Sequence, residues 1–66
     1  MKNKLKVERA KLDLTQEDLA NQIKVSRQTV NSIEKGRYIP STTIALKLSK
    51  VFEKTVNELF ELEETD

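Results

Sequence analysis

Four hydroxyl positions constrain this chain more than any other feature. Thr15, Ser26, Ser41 (or its neighbour Thr42) and Thr55 each stand just before a short stretch with apolar residues at helical spacing. A Ser or Thr in that place offers its side-chain oxygen to a backbone N–H of the first helical turn, which has no partner inside the helix. At Thr15 the signal is reinforced by Glu17 and Asp18, acids placed to meet the positive end of a helix dipole. The pattern predicts helices over about Gln16–Ile23, from Ser26 to a stop at Gly36, from Ser41 or Thr42 to about Glu53, and from Val56 to about Phe60. A first helix is expected from a cap at Asn3 to about Leu12, with Leu5, Arg9 and Leu12 on one side. Leu19, Ala20 and Ile23 should share a buried face, as should Val30 with Ile33, and Ile44, Ala45, Leu48 and Phe52 in the fourth helix. Ile39 is pushed towards an extended conformation by Pro40. Leu62 alternates with Phe60, which suggests a short extended segment after the last helix, and the final acidic residues are expected to fray. The fold class is therefore all-α: a compact five-helix bundle, one domain over residues 1–66, with an acidic tail over about 61–66.

The composition narrows how such a bundle can be held. Sixty-six residues bury a thin core. There is no Cys and no His, so neither a disulfide nor the usual structural zinc site is available, and no metal or cofactor is expected. Efficient helix packing or oligomerisation must supply the stability. A single Gly and a single Pro keep the turns few and short. No apolar run reaches the length of a signal-peptide core or a membrane span. With Met1 read as a natural start, the expectation is a whole, cytoplasmic protein with no membrane partner.

The net charge of +1 conceals an uneven distribution. Lys2, Lys4, Lys6, Arg9 and Lys11 outnumber Glu8 and Asp13 for +3 over residues 1–13, and Lys24, Arg27, Lys35 and Arg37 outnumber Glu34 for +3 over 24–38. Residues 53–66 set Lys54 against six acids, for −5. One face can be basic, and attract phosphate, while the total stays near zero.

The third helix carries the most informative surface. At 100° per residue, Val30 and Ile33 fall with Ser26 towards the core, and Arg27, Gln28, Asn31, Ser32 and Lys35 fall opposite. A face chosen for solubility alone would be Glu and Lys, which are better helix formers. This one has no acid, with Glu34 only at its flank. Its residues are those that pair with base edges: Arg with guanine, Gln and Asn with adenine, Ser and Thr through hydroxyl and methyl groups. A capped helix of about eight residues lies just before it across a very short turn. That is the spacing of a helix-turn-helix, about residues 15–36, whose second helix enters the major groove. Gln16 begins the first of the two helices, where a backbone N–H and a side-chain amide are placed to clamp a phosphate.

These runs taken together, Leu14-Thr15-Gln16-Glu17-Asp18-Leu19-Ala20, Val25-Ser26-Arg27-Gln28-Thr29-Val30, Ile33-Glu34-Lys35-Gly36-Arg37 and Pro40-Ser41, resemble the phage Cro/repressor-like (XRE) family of helix-turn-helix regulators, with its lambda repressor-like fold. The likeness spans about Leu5 to Phe60. It implies base reading by Arg27, Gln28, Asn31 and Ser32 with Thr29 at the margin. It also implies phosphate contacts by Gln16, Ser26, Lys35, Arg37 and Tyr38, and a structural ion pair between Arg9 and Glu34. Three positions depart from the pattern. Glu8 replaces an aliphatic residue, Lys24 stands where Gly often serves the turn, and Thr42 replaces an aliphatic residue at the start of the fourth helix. If Lys24 needs a left-handed backbone, that costs on the order of 1 kcal/mol.

The function expected is a sequence-specific double-stranded DNA-binding transcriptional regulator, a repressor reading a palindromic operator. One recognition helix covers too few base pairs to find a site in a genome, so a homodimer is expected. Its interface is assigned to Ile39, Val56, Leu59, Phe60 and Leu62, residues that are otherwise needed for the monomer core. Lacking His, Cys and a Gly-rich phosphate loop, the chain is not expected to be an enzyme, nor to take a small-molecule ligand. The competing reading is a protein-interaction module or antitoxin component on the same fold.

Overall fold

The computed structural model describes residues 1–66, as five helices and a two-stranded ribbon. The helices are α1 (Leu5–Lys11), α2 (Gln16–Ile23), α3 (Arg27–Glu34), α4 (Thr42–Phe52) and α5 (Val56–Leu59). Strands β1 (Lys2–Asn3) and β2 (Phe60–Glu61) pair antiparallel, Lys2 opposite Glu61 and Asn3 opposite Phe60, so the two ends of the chain meet. The extended segment expected beyond the last helix is thus present, and it gains its partner from the other terminus. The acidic tail does not simply fray. The Met1 ammonium lies 3.2 Å from Glu63 and 3.3 Å from Asp66.

The hydroxyl caps set the helix starts. Thr15 Oγ1 accepts the Asp18 N–H at 3.0 Å, and Asp18 Oδ2 accepts the Thr15 N–H at 3.0 Å. Thr55 and Glu58 repeat that reciprocal arrangement at α5. Ser26 Oγ accepts from Thr29 N–H at 3.1 Å, and Ser41 Oγ from Ile44 N–H at 3.2 Å, so Ser41 rather than Thr42 is the cap. Asn3 does not occupy the cap position, which belongs to Lys4. It reaches the helix from within β1, accepting the Leu5 N–H at 3.2 Å and donating its amide to the Ile33 carbonyl at 2.8 Å. One side chain therefore starts α1 and holds the end of α3.

Left-handed residues set the helix ends. Asp13 (φ 54°) follows α1, Lys24 (φ 59°) closes α2, Gly36 (φ 75°) follows α3, and Glu53 (φ 53°) closes α4. At Gly36 the two bonds of a Schellman turn form, from Gly36 N–H to the Ile33 carbonyl and from Arg37 N–H to the Ser32 carbonyl, both 2.9 Å. Lys24 does take the backbone that favours Gly, and Glu53 does so too.

The core is formed by Leu5, Leu19, Ala20, Ile23, Val30, Ile33, Leu48, Phe52, Leu59 and Phe60, with Ile44 packed against its edge. Leu12 departs from expectation. The helix stops at Lys11, the backbone turns at Asp13, and Leu12 is left exposed. Glu8 is buried where an apolar side chain would fit, and its carboxylate meets Lys11 Nζ at 3.1 Å. Leu59 corrects the interface assignment, while Phe60 keeps only an edge for it. Leu59 is fully enclosed by its own chain and Phe60 nearly so, which leaves Leu59 no surface for a partner.

Candidate nucleic-acid interface

The outer face of α3 starts with two side chains that the protein itself leaves unpaired. Arg27 and Gln28 are exposed at the start of the helix, just after its cap, and their side chains form no hydrogen bond within the chain. Asn31 and Ser32 lie one turn further on the same side and are half-buried. Thr29 stands at the margin, its hydroxyl 2.9 Å from that of Ser26. One of these two oxygens must donate to the other, so one hydroxyl hydrogen of the pair stays free for an external acceptor.

Beyond the helix, Lys35, Arg37 and Tyr38 are all exposed. Their placement follows from the Schellman turn. The Ser32 carbonyl accepts both the Arg37 and Tyr38 N–H groups, at 2.9 and 3.3 Å, which fixes the connector against the end of α3. Lys24, Arg27, Lys35 and Arg37 make this region basic, and its one acid is already engaged.

That acid is Glu34, whose carboxylate is almost wholly buried. Arg9 donates to it twice, from Nε at 2.8 Å and from its terminal nitrogen at 3.3 Å, in the forked geometry suited to a carboxylate. The other terminal nitrogen of Arg9 donates to the Leu14 carbonyl at 2.8 Å. The guanidinium thus joins α1, the α1–α2 turn and α3, and the expected ion pair is in place.

Gln16 is already engaged within the chain. Its Nε2 donates to Glu34 Oε1 at 3.1 Å and to Asn31 Oδ1 at 3.2 Å. An amide nitrogen carries two hydrogens, so both are spent. What remains for a phosphate at this position is the backbone N–H in the first turn of α2, while the side chain ties α2 to α3. Nothing local in the sequence signals this link, because Gln16 and Glu34 are 18 residues apart. The clamp of Asn3 on Ile33 was missed for the same reason.

Two carboxyls are shifted by their capping roles. The backbone N–H of Thr15, and then its hydroxyl, hold Asp18 below its ordinary value. Thr55 does the same to Glu58. Both caps are strongest with the acid ionised.

Elsewhere on the surface, Leu46 is 58 % and Leu62 is 77 % exposed. They flank an open, mainly apolar groove of about 320 Å³ that also involves Pro40, Ala45, Val56 and an edge of Phe60. Ile39 is exposed as well. Of the residues assigned to an interface, Ile39, Val56 and Leu62 thus remain available. No helix is long and apolar enough to cross a membrane.

Known proteins resemble this chain in sequence. A helix-turn-helix family model matches residues 5–59. The chain is 50 % identical, over the full length of both, to an uncharacterized HTH-type transcriptional regulator of Methanocaldococcus jannaschii. It is 48 % identical, over 97 % of each chain, to the HTH-type transcriptional regulator YgzD of Bacillus subtilis. A third such regulator, from Archaeoglobus fulgidus, is 38 % identical over all of this chain and 93 % of its own. With the capped α2, the short turn at Lys24 and the acid-free face of α3 already in view, these matches place the chain in the Cro/C1-type (XRE) helix-turn-helix family of transcriptional regulators.

Proposed function

We propose that this protein is a cytoplasmic repressor that binds double-stranded DNA sequence-specifically, as a homodimer on a palindromic operator. The observation that carries this reading is the exposed, unpaired Arg27 and Gln28 on a helix anchored at both ends, by Ser26 and by the Asn3 and Gly36 contacts. A helix fixed in this way loses little freedom on entering the major groove. Arg27 and Gln28 read base edges in the groove, with Thr29, Asn31 and Ser32 completing the set. The Gln16 backbone N–H, the Ser26 hydroxyl, Lys35, Arg37 and Tyr38 hold the phosphates on either side. Occupying promoter DNA in this way blocks other proteins from it, which is repression without any further machinery.

The apolar groove supports the dimer. Exposed Ile39 and the groove residues Leu46, Val56 and Leu62 offer apolar surface for a second copy, and a two-fold dimer reading a palindrome must set its two α3 helices about one DNA turn apart. Sedimentation at tens of micromolar should show a dimer, and operator titration should end at two chains per site.

Affinity for a duplex over a salt series tests the reading as a whole. Each phosphate held contributes a slope of about −0.9 in log affinity against log salt. A flat dependence would point instead to a protein partner for α3.

A further inference from the structure

We infer that Gln16 is a positioning residue for sequence readout, because it decides which end of the Asn31 amide faces the DNA. The inference rests on the base-reading role proposed for α3. It starts from charge. The Glu34 carboxylate can only accept hydrogen bonds, and Arg9 supplies two of them. Gln16 lies 3.1 Å from the same carboxylate, so the end of its amide turned inward must be the nitrogen, since an oxygen there would face another oxygen. That nitrogen is also 3.2 Å from Asn31, whose facing atom must in turn be an acceptor, Oδ1. The polarity therefore runs in one direction, from Arg9 through Glu34 and Gln16 to Asn31. Asn31 Nδ2 has no partner in the protein and is not a buried orphan, so it is the end offered to solvent and to the groove.

This has a chemical consequence for recognition. Asn pairs with adenine in two-point fashion by accepting from N6 and donating to N7, which needs both ends of the amide turned to the base. With Oδ1 turned to Gln16, and one of its two lone pairs taken there, the end of Asn31 that leads into the groove is the Nδ2 donor pair. The base that best matches two donors is guanine, with O6 and N7 both acceptors, and thymine O4 is the next match. Gln16 touches no base in this scheme and acts through Asn31.

The test is selection of operator half-sites from a randomised duplex pool by the wild-type chain, Gln16→Met, Asn31→Ala and Lys35→Ala, with thermal unfolding to confirm that each is folded. Gln16→Met keeps the length of the side chain and leaves both Arg9 bonds to Glu34. Asn31→Ala identifies the base pair that Asn31 reads, as the single position losing its preference. At that position the wild-type chain should favour guanine or thymine, and Gln16→Met should shift the preference towards adenine by about fivefold or more as the freed amide pairs at two points. Lys35→Ala should lower affinity for every sequence alike. If Gln16→Met behaves like Lys35→Ala, with a uniform loss and a shallower salt slope, the Gln16 amide is a phosphate ligand and the inference is overturned. It is also overturned if Asn31→Ala changes no position, or if the wild-type chain already selects adenine there. A wild-type chain with no sequence preference anywhere would instead refute the base-reading function beneath it. Should Gln16→Met be partly unfolded, Gln16→Ala carries the same comparison.

Discussion

The α3 side of the molecule and the α4–α5 side are completed by different means. On the α3 side, buried polar groups find partners within the chain: Glu34 has Arg9 and Gln16, Asn31 has Gln16, and the Ile33 carbonyl has Asn3. On the α4–α5 side, Leu46 and Leu62 are left in water, around a groove that nothing in the chain fills. A charge buried without its partner is costly, so the first side tolerates only one geometry. Apolar surface is less demanding about direction, and here it suits the second copy proposed for it. The same small protein is thus rigid where it is expected to read and incomplete where it is expected to pair.

The largest effect should come from breaking the first side. Arg9→Ala leaves the Glu34 carboxylate buried with only the Gln16 amide, and should cost about 3–5 kcal/mol in urea unfolding. A cost below about 1 kcal/mol would mean the pair is solvated and α3 is held by packing alone. The second side should break differently. Leu46→Asp should leave unfolding of the monomer nearly unchanged while weakening self-association by about 1.5–3 kcal/mol per protomer, the value of one buried leucine. Loss of fold without a change in association would assign Leu46 to the monomer. A comparable effect is expected on the reading face, where Gln28→Ala should weaken operator binding by about 1–3 kcal/mol and random-duplex binding far less. Equal losses would remove Gln28 from base reading.

Smaller changes sharpen the comparison at the helix ends. Lys24→Gly should stabilise by about 1 kcal/mol and Gly36→Ala should destabilise by a similar amount, since both positions are left-handed. A methyl group at Gly36 would sit at ordinary contact distance, 3.4 Å, from the Met1 carbonyl, so the cost there is backbone strain and not a clash. Thermal unfolding separates these outcomes. The smallest effect is the pH dependence of the caps. Asp18 and Glu58 are held below their ordinary values of 3.8 and 4.5, so their contribution is complete above those values. It is lost as pH falls through the lower folded-state values. Asp18→Asn combined with Glu58→Gln should flatten that acid limb, and an unchanged limb would assign it to other carboxyls.

What could be read from the sequence was what is local. Thr15, Ser26, Ser41 and Thr55 announced their helices because a cap acts on a residue three positions away. Val30 and Ile33 were legible as core for the same reason, through the helical period. Leu12 was misplaced because that period holds only while the helix lasts, and α1 ends at Lys11. Leu59 and Phe60 were ambiguous because apolar character serves a core and an interface equally, and only the packing of α5 and β2 decides. Lys24 could be read only conditionally, since its cost depends on a backbone angle that no residue type dictates. The Gln16 amide had two chemically sound partners, a phosphate and a carboxylate, and its actual neighbour came from the approach of α2 to α3.

The pairing of Lys2 with Glu61 has a consequence for the order in which the molecule assembles. It closes a loop of nearly the whole chain, whereas α2 and α3 are neighbours in sequence and reach one another quickly. None of these helices is long enough to persist alone, so α2 and α3 are expected to form by packing together, with the terminal ribbon closing over them last. A two-residue ribbon at the chain ends is also where local opening is expected first. The Lys4 amide, bonded to the Leu59 carbonyl at 2.9 Å, should therefore exchange its hydrogen faster than the amide of Val30, while equal protection would mean that ribbon and helices open as one unit. Each such opening releases Asn3 from the end of α3, so the two ends of the chain act as a fastener on the recognition helix.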